Sequence, residues 1–296
     1  TTEIYTRSLV GSVRCVYETV FGVGVENGST QPVRHSTGQE VVPAYEGWEQ
    51  NPDGSFNLVF GAMNRNWEEE LDIPIGVANN IEPGGPDQGQ PTHFLPRRTR
   101  FLFKIRVPED FGDKEVVWTL TSPNGKTKRA YGTLHPDYYI DDLVFQRNNG
   151  ASASAELLAN KAPVLEVEGK TTRTVKVGQS VTLTAVVTDD GLLKPYDLPS
   201  RTTGVTTTSA RGLRLAWFVY RATGNVVFEP EQFQVWEDRR VGSNSPWAPG
   251  LLTPPSPPDG KWVVLARFSK SGTYVLRCLA HDGGLPTHKD ITFVVE

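Results

Sequence analysis

The last third of the chain carries the pattern that most narrows what it can fold into: apolar strands with a period of two, separated by turn residues. Val181, Leu183, Ala185 and Val187 fall on one face of a strand that runs out at Asp189-Asp190-Gly191, with Thr182, Thr184 and Val186 on the other face. Leu215-Ala216-Trp217-Phe218-Val219-Tyr220 forms a second apolar run. Tyr274, Leu276, Cys278 and Ala280 share one face of a third strand, which ends at His281-Asp282-Gly283-Gly284, and Asp290 to Val295 reads as a last one. Alternation of this kind specifies half-buried strands rather than helices. The 28 glycines and 22 prolines are spread through the chain and mark many turns. No apolar run approaches the roughly 18 residues of a membrane-spanning helix.

Lys176-Val177-Gly178-Gln179-Ser180, the Trp217 strand and the Ser271-Gly272-Thr273-Tyr274 strand, taken in order, resemble a PKD-type, immunoglobulin-like β-sandwich over 163–296. Asn160-Lys161-Ala162-Pro163 is similar to the entry of such a domain. The resemblance implies that Trp217 packs in a core with Leu183 and Leu276, and it implies a secreted or surface protein. Lys194 to Arg211 and Glu231 to Lys261 depart from the pattern as insertions. The second holds Trp236 and Trp247, and loops of that length are usually functional or interfacial.

With 296 residues the chain has room for a second domain. Residues 43–150 read as a β-sandwich. Ala44 to Trp48 and Ser55 to Met63 form a hairpin around Asn51-Pro52-Asp53-Gly54, and Glu115 to Thr121 and Lys128 to Thr133 form another around Pro123-Asn124-Gly125. Phe101 to Val107 alternates between them. A Pro/Gly-rich loop, Ile81 to Arg98, carries Asp87, His93, Arg97 and Arg98; it either presents a binding surface or covers a sheet edge. Tyr45-Glu46-Gly47-Trp48, Asn51 to Phe56, the Ile81 to Arg98 loop and Leu134-His135-Pro136-Asp137-Tyr138 resemble uncharacterised secreted bacterial proteins, a resemblance that brings no activity with it. Residues 151–162, rich in Ala and Ser, read as a linker with one helical turn at Glu156 to Asn160.

Residues 1–42 read as a strand-forming extension. Val13, Cys15, Tyr17, Phe21, Val23 and Val25 alternate along one strand bounded by Asn27-Gly28-Ser29. Such a strand needs a sheet to join, and a neighbouring copy's open edge is one. The chain holds 2 cysteines, Cys15 and Cys278. They either form a single bridge or stand as two buried thiols; the bridge requires Cα atoms within roughly 7 Å. The start at Thr1 without Met matches removal of a signal peptide, and matches a trimmed chain equally.

Net charge is −4, from 30 Lys+Arg against 34 Asp+Glu, a balance that points away from nucleic acid. His35, His93, His135, His281 and His288 fall in no metalloprotease spacing, and neither a G-x-S-x-G elbow nor a phosphate-binding glycine loop occurs, so no catalytic residue is assigned. Asp189, Asp190 and Asp282 end two strands that the fold brings together. They are a candidate Ca²⁺ site, or they simply make the turns. No other cofactor is expected. Trp48, Trp67, Trp236, Trp247 and Tyr45 are candidates for stacking on a glycan, against core or interface packing.

The sequence thus describes an all-β chain of two β-sandwich domains, the C-terminal one PKD/immunoglobulin-like, with an N-terminal strand-forming extension. The expected role is that of a non-enzymatic structural subunit of a bacterial surface assembly or filament, with copies of itself or other surface proteins as partners. It would be secreted, extracellular or on the cell surface, with the periplasm as a variant. The alternatives are a monomeric glycan- or calcium-dependent adhesion module and an accessory subunit of a larger secreted or periplasmic complex.

Overall fold

In the first half of the chain, Asn51 and Gly54 close the expected tight turn, with Gly54 N–H donating to Asn51 O at 3.0 Å. Gly54 holds φ +86°, a region that favours glycine. The turn joins β1 (Val41–Gln50) to β2 (Phe56–Asn64). This computed structural model describes residues 34–148, 154–195, 211–248, 251 and 253–296. The extension residues Val13, Cys15, Tyr17, Phe21, Val23 and Val25 lie outside the described residues.

Next come β3 (Leu71–Asp72), β4 (Asn79–Glu82), β5 (His93–Phe94), β6 (Arg97–Val107), β7 (Val116–Thr121) and β8 (Thr127–Gly132). They form two facing three-stranded sheets, β1-β2-β6 and β4-β7-β8, with a small β3-β5 pair beside them. The stretch from Ile81 to Arg98 is therefore less of a loop than its composition implies, since parts of β4, β5 and β6 fall within it. The core between the sheets is aromatic. Phe60 stacks on Phe103 at 5.5 Å, and Trp118 meets Phe103 edge-on at 4.9 Å. Trp118 Nε1–H donates to the buried Asn79 Oδ1 at 2.9 Å, so its one polar atom is satisfied.

Two short helices follow, α1 (Asp142–Asn148) and α2 (Ala155–Ala159), the second capped by Ser154 and falling where the helical turn is expected. The second sandwich contains β9 (Val164–Val167), β10 (Thr172–Val175), β11 (Ser180–Thr188), β12 (Arg214–Arg221), β13 (Val226–Glu229), β14 (Lys261–Phe268), β15 (Gly272–His281) and β16 (Pro286–Val295). Its sheets run β13-β14-β11-β9 and β10-β16-β15-β12. The leading segment divides between them: β9 pairs antiparallel with β11, and β10 pairs parallel with β16. This is the immunoglobulin-like strand order, with β12 in the place of the central tryptophan strand. Trp217 is 1% exposed, and Leu183 and Leu276 are fully buried in the same cluster. Tyr274 O–H donates to Lys270 O at 2.9 Å, the corner contact expected at the start of that penultimate strand. Residues His35–Glu296, both sandwiches included, form one unit.

Trp217 fills the centre of the second core, so Trp217→Ala should destabilise the chain by about 3–5 kcal/mol in urea denaturation. Trp217→Phe should be milder, because the buried indole N–H has no partner to lose. A second expectation concerns His93. Burial disfavours its charge, but hydrogen bonds to Asp72 (2.8 Å) and the Glu70 carboxylate 3.1 Å away outweigh burial and lift its pKa to about 9. A pKa raised in the folded state contributes stability that is complete below about 6.5 and disappears as pH rises to about 9. The melting temperature should therefore fall across that window, and His93→Gln should flatten the fall.

Candidate functional site

The two sandwiches meet where β12 would otherwise present a bare sheet edge. From the first sandwich, Thr92 N–H donates to Tyr220 O at 3.2 Å, and Thr92 Oγ1 accepts from Ala222 N–H at 3.3 Å. Tyr220 O–H donates to Gly89 O at 2.5 Å, and its ring joins the first sandwich's core. Arg221 grips Asp87 with two bonds of 2.8 and 3.1 Å and reaches Gln90 O at 2.9 Å. Further along the same edge, Gln232 Oε1 accepts the Trp217 backbone N–H at 3.0 Å. The Pro/Gly-rich loop thus covers a sheet edge.

Beside this joint lies a cleft of about 100 Å³ between β6 on one side and β12, β15 and the Val235 to Trp247 insertion on the other. Its β6 wall is unusual. Arg97 and Phe101 hold φ +59° and +51°, a left-handed conformation uncommon for side chains of their bulk. Opposite, Gly61 leaves room for the Glu46 carboxylate, with which a Cβ at that position would collide. Glu46 accepts from Arg98 Nη2 at 2.6 Å and from the Phe101 backbone N–H. Burial pushes its pKa up, opposed by the charges of Arg98 and Arg100. Arg100 lies two residues from Arg98 on β6, donates to Asn148 O at 2.6 Å and stands 4.0 Å from Glu237.

The deep wall of the cleft belongs to β15. Arg277 is paired with Asp290 at 2.7 and 2.8 Å, lies over the Tyr220 ring at 3.8 Å and donates to Leu102 O across the joint. His281 is buried, and its Nδ1 accepts from Gly283 N–H at 2.9 Å, which leaves the ring proton on Nε2. Burial, and then the nearby Arg214 charge, push its pKa well below the usual range, so it is neutral.

The three aspartates gather at one end of the second sandwich. Desolvation, then the charges of Asp282 and Asp190, raise the pKa of Asp189. Each carboxylate holds backbone or a neighbouring side chain. Asp189 accepts from Gly191 N–H at 2.9 Å, and Asp190 accepts from Lys161 and Leu192 N–H at 2.9 and 3.0 Å. Asp282 accepts from Gly284 and Leu285 N–H at 2.6 and 2.7 Å and from Asn160 Nδ2 at 2.8 Å, pinning the connector to the second sandwich. Among the described residues no group of three acid, His or Cys side chains is arranged to hold a metal ion. Cys278 is a buried core thiol, its pKa raised by desolvation, and its candidate partner Cys15 lies outside the described residues.

The aromatic candidates are mostly engaged. The Trp67 ring is met by the guanidinium groups of Arg97 (4.2 Å) and Arg240 (4.8 Å). Trp48 packs edge-on to Phe56 and Tyr139, and its Nε1–H donates to His135 O at 2.8 Å. Tyr45 O–H donates to Thr133 O at 2.5 Å, and Trp236 is part-buried in the insertion. Trp247 alone of the five lines the cleft. Sequence reasoning missed Glu46, Arg100, Glu237 and Arg277; the one signal was the basic run Arg97-Arg98-Thr99-Arg100 leading into a strand.

No protein-family model matches the chain, and no curated protein matches it. Among solved structures it is similar to the D00-D0 domain of intimin, at 12% identity over 86% of this chain and 100% of that one, with a TM-score of 0.24. It is also similar to the Yersinia pseudotuberculosis adhesin InvE, at 8% identity over 86% of this chain and 58% of that one, with a TM-score of 0.24. A third similarity is to domains 4 and 5 of the S-layer protein SbsC, at 13% identity and a TM-score of 0.22; it covers 45% of this chain, which spans about half (53%) of that one.

The joint's contacts should differ in weight. A double-mutant cycle of Arg221→Met and Asp87→Asn should give about 1 kcal/mol of coupling, as for a well-formed but half-exposed pair. Arg277→Met should be worse by itself, at about 3 kcal/mol, because it strips a buried network. Urea unfolding of the single and double variants measures both.

Proposed function

We propose that this chain is a non-catalytic structural subunit of an extracellular bacterial surface assembly, in which the Val13 to Val25 segment of one copy adds as a strand to a sheet of the next. The observation that carries the reading is the joint. Two sandwiches that share Tyr220 in one core and are tied by Arg221–Asp87 and Arg277–Leu102 hold a fixed spacing, which suits a load-bearing part better than a hinged one. Sealing the β12 edge supports the same reading, because uncontrolled edge pairing is suppressed there and any strand addition is directed elsewhere. Alternation in the extension supplies an apolar face, each buried Val or Phe contributing about 1.5–3 kcal/mol.

The test is the size of the full chain by light scattering, with negative-stain imaging. Filaments or closed oligomers are expected. A chain lacking residues 1–26, and one carrying Tyr17→Asp with Phe21→Asp, should give folded monomers with an unchanged melting temperature. A full-length monomer would overturn the assembly reading and leave the adhesion module in its place; a fixed mixed stoichiometry with another protein would indicate an accessory subunit.

A further inference from the structure

The cleft beside the joint has the makings of a ligand site, and nothing in the assembly reading uses it. We propose that it binds a small monocarboxylate, whose carboxylate group is taken by Arg98 and Arg100 and whose body rests on the wall formed by Phe101, Phe218, Leu279 and Trp247.

Donor count is the first support. A guanidinium carries five N–H donors. Among the described residues Arg98 gives one hydrogen bond, to Glu46, and Arg100 gives one, to Asn148 O. Their side chains are 31% and 37% exposed, so the remaining donors are accessible. Glu237 does not use them: it stands 4.0 Å from Arg100, and its other oxygen is held by Arg239 at 2.6 Å.

Charge and shape choose the ligand. Arg98, Arg100 and Arg239 against Glu46 and Glu237 leave one positive charge, while Arg277 with Asp290 and Arg214 with Asp282 cancel. A monoanion matches that excess better than doubly charged phosphate. Planar guanidinium groups match a planar carboxylate in geometry, and apolar walls at a junction between two packed bodies are the usual setting of a small-molecule site. The wall is also built in advance. Glu46 and the close contact of Phe101 with Phe145, 4.0 Å between ring centres, fix the left-handed backbone that carries Arg98 and Arg100. Strain of this kind persists where the surroundings over-determine it, and it concentrates at ligand clamps.

An acidic sugar and an aromatic acid share this chemistry, and the experiment separates them. The full chain is titrated calorimetrically at neutral pH with glucuronate, benzoate, their neutral counterparts glucose and benzamide, and inorganic phosphate. Saturable one-to-one binding of glucuronate or benzoate is expected, at least tenfold tighter than the neutral counterpart and than phosphate; whichever of the two binds better names the source. Arg100→Ala should weaken binding at least tenfold while the chain still melts in a single cooperative transition. Glu237→Gln, which removes a negative charge from the cleft wall, should tighten it, and this second variant keeps the test independent of any folding defect in Arg98 variants. Absence of saturable carboxylate binding in the millimolar range, preference for phosphate, or binding indifferent to Arg100→Ala would overturn the proposal. Subunit assembly is read by size and this site by titration, so either can fail without the other.

Discussion

A strand buried on both faces with one bare edge is the constraint around which this molecule is arranged. From Arg214 to Tyr220 every residue of β12 is buried, and β15 satisfies only one side of its backbone. The outer N–H and C=O groups need partners, since an unpaired buried backbone group forfeits about as much as a hydrogen bond contributes. Gln232 supplies one from the insertion, and Thr92 supplies two from the other sandwich. For Thr92 to arrive in register, the loop before it must hold its shape. Gln88 does this by donating to Pro83 O at 2.7 Å, while its own N–H bonds Gln90 Oε1 at 2.8 Å. The Pro/Gly-rich composition of that loop is thus a consequence of the β12 edge, and the ion pair at Asp87 and Arg221 closes the same contact from outside.

The described end of the connector is tied into the same joint. Asn160 is buried, bonded to Asp282 in the second sandwich and to Gln146 in α1. α1 in turn places Phe145 on Phe101 of β6. A movement of one sandwich against the other would have to break this chain of contacts as well as the Arg277 network. Several buried polar groups are involved, and removing any partner leaves another one unsatisfied, so the contacts reinforce one another.

Much of the second sandwich was legible because its information is local and periodic. Val181 to Val187, Leu215 to Tyr220 and Tyr274 to Ala280 declare their inward faces, and the Asn51 to Gly54 turn declares the first hairpin. The joint was not legible, because it pairs residues 128 to 175 positions apart, from Thr92 with Tyr220 to Leu102 with Arg277, through single contacts with no period. Two-residue strands such as β3 and β5 leave no pattern either. The aspartates were legible as strand ends that converge. Their bonding to backbone follows from the geometry of Asp-Gly turns, in which the carboxylate folds back on the N–H two residues on. The cleft was invisible for another reason: Arg98 and Arg100 come from a single strand, but their setting comes from Glu46 on β1, across β2 in the same sheet, from Arg277 on β15 and from Glu237 on a distant insertion.

That last relationship is where the fold and the site meet. Glu46 is a carboxylate that burial would rather protonate, yet it faces two guanidinium groups and a backbone N–H. A hydrophobic residue there would pack as well and remove the desolvation cost. It would also release Phe101 from its left-handed backbone and allow β6 to relax toward a regular strand. Arg98 and Arg100 would then lose the support that sets them beside the cleft. The buried charge therefore trades stability for the placement of two arginines, and the Gly61 gap that admits it belongs to the same arrangement. A module needing only to be rigid would have no use for that trade, whereas a preorganised pair of arginines lowers the ordering cost of binding a small anion.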